Sequence, residues 1–264
     1  MKPLAARAVL ITGATSGLGL AMAGALAEAG ALVAVTGRSG ERAREVASGL
    51  RNAIGIGLDV RDESSVARAV DEAWTRLGGV DMLVNNAGIG MRTVNPRFLE
   101  EPQPFWQVTT AGFRDVVETK LLGCFLVARE VVHRMLVNGA GRIVNISMNE
   151  GTMVRRGFVP YGPSGAGIEA LSRVMAADLA GSAVTANVLL PGGRGTRTGM
   201  VPDDAPAEVQ ARLLDPAVMG PPIVWLASQE ATGLHDARII ASEFASWLAE
   251  RYPVSSAVRG PGLR

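Results

Sequence analysis

The sequence predicts an α/β domain in which helices cover both faces of a doubly wound parallel sheet. Segments of strand length are continuously apolar rather than alternating, which is typical of strands buried on both faces. Between them lie segments with apolar residues at helical spacing, so strand and helix alternate along the chain. The 264 residues contain no evident linker, and we therefore expect a single domain over 1–264.

Each element follows from its local pattern. Short apolar runs rich in Val, Ile and Leu predict strands at 8–11, 32–35, 53–58, 82–84, 142–146 and 184–190. Amphipathic spacing predicts helices at 18–29, 41–50, 63–77, 110–137 and 161–179, and shorter helical segments at 223–227 and 244–250.

Residues 192–222 depart from this alternation, because Gly, Pro, Thr and Asp dominate them. A long irregular segment in a compact domain commonly closes over a binding site, so we expect a flexible lid after the sixth strand. The alternative is a disordered surface insertion. Residues 253–264 are expected to form a loose C-terminal tail.

Composition and charge exclude several classes of protein. With 48% hydrophobic and 19% charged residues, the chain is globular rather than disordered. A net charge of +1 creates no general attraction for nucleic acid or an anionic membrane, and we expect neither as a partner. The single cysteine, Cys124, and two distant histidines, His133 and His235, predict no disulfide framework and no metal site. We expect a cytoplasmic protein.

A glycine-rich turn, residues 12–19, joins the first strand to the first helix and has the sequence TGATSGLG. Glycines let a backbone turn sharply and approach a phosphate, while a helix N-terminus offers free N–H groups. A tight turn of this kind also occurs without a ligand, but its place in a βαβ unit favours a phosphate site. The candidate binding residues in this turn are Gly13, Thr15, Ser16, Gly17, Leu18 and Gly19.

The residues resemble the short-chain dehydrogenase/reductase family, whose cofactor loop is TGxxxGxG. Further family motifs follow in order: Leu58-Asp59-Val60, Asn85-Asn86-Ala87-Gly88, Tyr161 at the start of a long helix, and Pro191-Gly192 after the sixth strand. The resemblance covers nearly the whole chain. It implies a Rossmann-type fold that binds a nicotinamide nucleotide at the carboxyl ends of the strands.

The resemblance also assigns roles around the cofactor. Asp59 and Val60 would contact the adenine; an Asp here otherwise serves as a helix cap. The run Asn86, Ala87 and Gly88 would support the ribose and the neighbouring loop, and otherwise forms a turn. Three further residues, Pro191, Gly192 and Thr196, would flank the nicotinamide.

The choice between NAD and NADP is expected from the residues after the second strand, where an acidic residue binds the ribose hydroxyls of NAD and an arginine accepts the 2′-phosphate of NADP. The sequence here is Val35-Thr36-Gly37-Arg38-Ser39, which contains no carboxylate. Arg38 therefore predicts NADP rather than NAD. The alternative is that Arg38 is a solvated loop residue or stacks on adenine without discriminating.

The catalytic residues depart from the family pattern. The resemblance implies a Tyr-x-x-x-Lys pair, a Ser on the preceding strand that bonds the substrate oxygen, and an Asn in the central helix that anchors a water. This sequence keeps Tyr161, but Gly165 stands at the Lys position, Met148 at the Ser position and Lys120 at the Asn position. Ser147 precedes Met148 and is expected to face the other way, because strand residues alternate.

The paired changes at 120 and 165 suggest a compensation. A phenol with a pKa near 10 is ionised to about one part in a thousand at pH 7, so Tyr161 alone is a poor base, although it is a competent acid. Lys120 is predicted to direct its ammonium into the space left by Gly165 and to act for the missing lysine. The alternative is that Lys120 snorkels to the surface and Gly165 is an inactivating change.

The predicted function is an NADP(H)-dependent oxidoreductase acting on a carbonyl or secondary alcohol, with Tyr161 as the proton donor or acceptor and an impaired or rearranged activity. Two alternatives remain: an inactive cofactor-binding pseudo-enzyme or supporting subunit, and a non-redox isomerase or cyclase. The resemblance further implies a homodimer or homotetramer, paired through the central helix and the Tyr161 helix.

Overall fold

The computed structural model describes residue 4 and residues 7–193, 195–202 and 204–252. Its strands are β1 (Ala8–Ile11), β2 (Leu32–Gly37), β3 (Ala53–Gly57), β4 (Met82–Asn85), β5 (Gly141–Ile146), β6 (Val184–Leu190) and β7 (Arg238–Ile240). All pairings are parallel, in the order β3-β2-β1-β4-β5-β6-β7. The predicted fold class is confirmed.

The helices lie between these strands. They are α1 (Gly17–Glu28), α2 (Gly40–Ser48), α3 (Glu63–Leu77), α4 (Thr110–Val117), α5 (Gly123–Asn138), α6 (Glu150–Met153), α7 (Tyr161–Asp178), α8 (Ala207–Gln210), α9 (Gly220–Ala227) and α10 (Phe244–Arg251). Among the described helices, none combines the length and the apolar character needed to cross a membrane.

The core is divided between the two faces of the sheet, as continuous apolar strands require. One cluster joins α1, α9 and α10 to the sheet, and Met22, Trp225 and Phe244 are among its buried members. The other joins α3 and α5 to the opposite face through residues such as Val70 and Val131. The strand ends between these layers are therefore fixed from both sides.

Three local features differ from the sequence-based expectation. The segment 110–137 is one continuous run, but a π-helical stretch, Glu118–Leu122, separates α4 from α5. The segment 192–222 is not wholly irregular, since α8, a 3-10 turn (Pro216–Met219) and the start of α9 lie within it. The strand β7 was not predicted because three residues give too short a hydrophobic pattern. The expected tail, 253–264, lies outside the described residues.

Candidate active site

A cavity of about 680 Å³ opens at the carboxyl ends of the strands. Parallel strands bring their following loops to this one edge, so residues far apart in sequence meet there. All the candidate site residues line the cavity except Gly19: Gly13, Thr15, Ser16, Gly17, Leu18, Arg38, Asp59, Val60, Asn86, Ala87, Gly88, Lys120, Tyr161, Pro191, Gly192 and Thr196.

The glycine-rich turn has a backbone that larger residues disfavour. Gly13 and Gly17 have φ angles of 64° and 54°, in the left-handed region that glycine tolerates. A Cβ on Gly13 would lie 2.8 Å from the Cα of Ala87. A Cβ on Gly19 would collide with the carbonyl oxygen of Gly13, so Gly19 lets α1 pack closely against the turn rather than lining the cavity.

The N-terminus of α1 faces the cavity with its backbone donors uncapped. Ser16 occupies the N-cap position without a side-chain hydrogen bond to the helix, and the first turn contains no acidic residue. Gly17 and Leu18, the first residues of α1, line the cavity. Free N–H groups and the positive end of the helix dipole favour an anion at this point.

Thr12 holds the glycine-rich turn to the loop after β4. Its buried hydroxyl accepts hydrogen bonds from the backbone N–H groups of Asn86 and Ala87, both at 2.9 Å. The side-chain amide of Asn86 donates in return to the carbonyls of Thr12 and Gly13. Asn86 thus supports the turn, and Thr12 is a positioning residue that the sequence analysis left out of the candidate set.

Charged residues gather where the adenosine part of a nucleotide would lie. Asp59 is held by Arg61, whose Nη2 lies 2.7 Å from Oδ2, and this hydrogen bond lowers the pKa of the Asp59 carboxyl below its ordinary value. Arg38 is exposed, lines the cavity and adds a weaker electrostatic contribution at Asp59.

Tyr161 begins α7 and lines the same cavity as the glycine-rich turn. Its ring packs with Phe158 at a centroid distance of 6.5 Å, beside a small apolar cluster that includes Met91 and Phe98. Its hydroxyl lies 3.7 Å from the Sδ of Met200. Burial raises the pKa of the phenol to about 12, so the hydroxyl keeps its proton at neutral pH.

Lys120 lies in the π-helical stretch and points inward. It is 7% exposed, and its Nζ lies 4.7 Å from the ring centroid of Tyr161. Burial lowers the pKa of this amine to about 8, an effect that the nearby Cys124 thiol partly offsets. The nitrogen faces the cavity and not the solvent, but the space beside Gly165, into which the sequence analysis directed it, is occupied by the Met148 thioether.

Met148 and Gly165 are complementary in shape. A Cβ on Gly165 would lie 2.5 Å from the Cε and 2.8 Å from the Sδ of Met148. The thioether side chain therefore fills the space that a side chain at 165 needs. Neither residue could be placed opposite the other from sequence, since they are on β5's C-terminal loop and on α7.

Placing lysine at position 165 is expected to destabilise the protein unless Met148 is shortened at the same time. Gly165→Lys forces the thioether aside, at a cost of about 1–3 kcal/mol in the free energy of unfolding. In a Met148→Ser background that cost should fall by about 1 kcal/mol or more, which a double-mutant cycle in urea measures. Gly24→Lys in α1, where an added Cβ meets nothing within 4 Å, is the matched control. If the changes in unfolding free energy caused by Gly165→Lys and Met148→Ser simply add in the double variant, the two side chains do not compete for the same space.

Ser147 is engaged away from Tyr161. Its hydroxyl donates to Oε1 of Glu169 on α7 at 2.8 Å, and Arg238 pairs with the same carboxylate at 3.0 Å. Arg238 also donates to the carbonyl of Met148. This network fixes the end of β5. The Ser147 hydroxyl gives its proton to Glu169 and is therefore not the donor to a substrate oxygen.

The segment after β6 covers the far side of the cavity. Thr196 is buried and bridges to Leu214 in a parallel pairing, and Thr198, Met200 and Leu213 also line the cavity. The composition of 192–222 predicted a lid, but the sequence did not show that Thr196 pairs with Leu214 within it. Several apolar lining residues had no sequence signal as site residues: Phe98, Leu99, Phe158, Val201, Val209 and Leu213.

Comparisons with known proteins agree with this geometry. The family model described as short chain dehydrogenase matches residues 7–207. The chain is 35% identical over 238 residues to a cis-4-hydroxycyclohexanecarboxylate dehydrogenase of Sinomonas cyclohexanicum, covering 86% of this chain and 92% of the relative.

Solved structures show the same fold. A gluconate 5-dehydrogenase from Burkholderia cenocepacia in complex with NADP and tartrate matches with a TM-score of 0.80 and 27% identity, over 92% of this chain and 97% of that chain. A 3-ketoacyl-(acyl-carrier-protein) reductase from Brucella melitensis complexed with NADH matches with a TM-score of 0.78 and 27% identity, over 90% and 97%.

Proposed function

The chain belongs to the short-chain dehydrogenase family and is an oxidoreductase of that type; we propose that it uses NADP(H) to interconvert a carbonyl and a secondary alcohol on a small apolar molecule. One observation carries this proposal. The uncapped N-terminus of α1 and the Tyr161 side chain line one and the same cavity.

The residues present fit a nicotinamide dinucleotide. Left-handed glycines at 13 and 17 and the free N–H groups of α1 suit a diphosphate. Arg38 suits a ribose phosphate, and Asp59 with Val60 forms the wall beside an adenine. When bound, the cofactor supplies or accepts the hydride. The chain's own residues then bind, orient and move the proton.

Tyr161 is the proposed proton donor when a carbonyl is reduced. Its raised pKa, about 12, keeps the hydroxyl protonated, which suits reduction and disfavours oxidation. In its protonated form, Lys120 places a positive charge over the phenol ring and favours the phenolate that remains after proton transfer. We propose that Lys120 thereby replaces part of the role that the family resemblance assigns to a lysine at 165.

The cavity wall near Tyr161 is mostly apolar, although Arg155 also lines the cavity, with its guanidinium 4.6 Å from the ring centroid of Phe158. Aromatic, thioether and aliphatic side chains form this wall, and water is poorly accommodated among them. They favour a substrate whose carbonyl carries a hydrophobic body rather than a hydroxylated one. The residues are Met91, Phe98, Leu99, Met148, Phe158 and Met200.

Arg38→Ala is expected to weaken NADP binding by about 10- to 100-fold, because charge-assisted hydrogen bonds to the 2′-phosphate contribute about 1.5–3 kcal/mol. NAD binding should change much less. Titration calorimetry with each nucleotide measures the two effects. Arg42→Ala is the matched control, since Arg42 lies four residues further along, in the first turn of α2, but pairs with Glu45 outside the cavity.

The same titration tests the proposal as a whole. An equal loss for both nucleotides would remove the phosphate role of Arg38, and a lack of uptake of either would overturn the proposed function. Tight binding without any oxidation or reduction over a panel of apolar ketones and alcohols would instead favour an inactive cofactor-binding protein.

A further inference from the structure

The chain contains two lysines, Lys2 and Lys120, against 24 arginines. Arginine keeps its proton at any physiological pH, whereas lysine releases it readily when buried. Position 120 therefore carries the only amine side chain in the described part of the chain, at a buried site. Lys120 can therefore act as a neutral amine, which none of the arginines can do.

In the part of the chain that the structure describes, no carboxylate compensates the ammonium of Lys120. Among the described residues its charged or titratable neighbours are Cys124, one helical turn along, and Tyr161 on α7. Burial raises the pKa of the Cys124 thiol to about 12, so the thiol is neutral at pH 7. A lysine that is buried without an anion has a substantial neutral fraction near neutral pH.

The backbone brings this amine to the cavity. The π-helical stretch Glu118–Leu122 interrupts the run from α4 to α5, and such stretches are frequent at functional sites. The Nζ would lie 3.4 Å from a Cβ on Gly88, so glycine at 88 leaves room for it. Both residues line the same cavity as Tyr161.

We propose that Lys120 is an imine-forming lysine that captures an apolar aldehyde or ketone in this cavity, an activity beyond hydride transfer. The amine nitrogen adds to the carbonyl carbon, the carbonyl π electrons move to oxygen, and the nitrogen loses a proton while the oxygen gains one. The nitrogen lone pair of this carbinolamine then expels the hydroxyl group, which takes a proton from the Tyr161 hydroxyl and leaves as water. As the C=N bond of the neutral imine forms, the remaining N–H proton returns to the phenolate. The overall balance is amine plus carbonyl to imine plus water, with no redox partner.

Tyr161 supplies the acid that the second stage needs. Loss of hydroxide from the carbinolamine is slow unless the oxygen is protonated, and the protonated phenol lies beside the amine. Its ring centroid is 4.7 Å from Nζ. The apolar side chains around the phenol, including Phe158 and Met148, limit the water that would hydrolyse the product.

Reductive trapping tests the proposal directly. The purified protein is incubated at pH 7 with butanal and sodium cyanoborohydride, without any nicotinamide nucleotide, and the butyl group is located by mass spectrometry of peptides. At pH 7 an amine with a pKa of about 8 has a neutral fraction about 300-fold larger than an ordinary lysine. We expect Lys120 to be labelled at least about tenfold faster than Lys2.

The controls separate this proposal from the redox function. Lys2→Arg should keep the label on Lys120, and Tyr161→Phe should slow it by roughly tenfold or more, because the acid is lost. Labelling of Lys2 with Lys120 unmodified would overturn the proposal, and an unchanged rate in Tyr161→Phe would refute the part given to the phenol. Because no cofactor is present, either failure leaves the NADP titration unaffected.

Discussion

Tyr161→Phe is expected to lower turnover of carbonyl substrates by roughly 100- to 10,000-fold, the usual contribution of a positioned proton donor. The change removes the hydroxyl and keeps the ring. The packing against Phe158 and the contact with Lys120 should therefore persist, and the free energy of unfolding should change by less than about 1 kcal/mol, since the lost contact to Met200 is a weak sulfur hydrogen bond. Steady-state reduction assays and urea unfolding measure the two quantities.

The second tyrosine provides the control. Tyr252 packs against Trp225 and Trp247, outside the residues that line the cavity. Tyr252→Phe should leave turnover unchanged. Full turnover in Tyr161→Phe would show that the proton comes from another group and would remove the proposed mechanism while leaving cofactor binding intact.

Lys120→Met is expected to make the protein more stable and less active. The native pKa of about 8 lies below the ordinary 10.5, so the folded state disfavours the charged amine. Below pH 8, burying the charged amine lowers the free energy of unfolding by its full amount, about 3 kcal/mol. This loss of stability disappears as the pH rises towards 10.5. At pH 7 the variant should gain up to about this amount, because methionine carries no charge into the interior.

The pH dependence gives a second measure of the same effect. Between pH 8 and 10.5 the unfolded chain binds more protons at Lys120 than the folded chain, so this residue increases wild-type stability with rising pH. Cys124 and Tyr161 act in the opposite sense above about pH 9, since burial raises both pKa values to about 12. Both residues remain in the variant, but loss of the Lys120 charge raises the pKa of the Cys124 thiol further. The difference between the two proteins therefore reports Lys120 most directly below about pH 9, where the thiol is neutral in both.

A gain in stability together with a loss of turnover would mark Lys120 as a functional residue that the fold accommodates at a cost. If Lys120→Met is less stable than the wild type at pH 7, burial of the charged Lys120 amine does not destabilise the folded protein as we expect. Increased stability with unchanged turnover would contradict the catalytic role and leave only the imine chemistry to be tested by trapping.

Much of the site follows from short-range sequence logic. Glycines 13 and 17 are required by a turn that runs from a strand into a helix, and this requirement is visible without a structure. The alternation of apolar strands with amphipathic helices predicted the fold class, because the spacing of apolar residues in each element indicates which of its faces is buried. The sequence did not predict β7 or the helices within 192–222, since each has too few residues to show a periodic pattern of apolar side chains.

Other parts depended on contacts between distant segments. Met148 and Gly165 are unremarkable one by one, and only their packing reveals that one fills the space of the other. The sequence placed Lys120 in the central helix and predicted its direction from a paired change. The π-helical stretch and the contact with the Tyr161 ring emerge only in the folded chain.

The sequence by itself determined a parallel α/β sheet, a phosphate-binding turn at the first helix and a phenol at the start of α7, because these depend on local backbone requirements and on periodic burial. The tertiary structure alone decided that Lys120 is buried beside that phenol with no carboxylate of the described residues near it, and that a thioether occupies the space of a side chain at 165. Burial and charge pairing are properties of neighbours in space, and no local pattern along a chain encodes them.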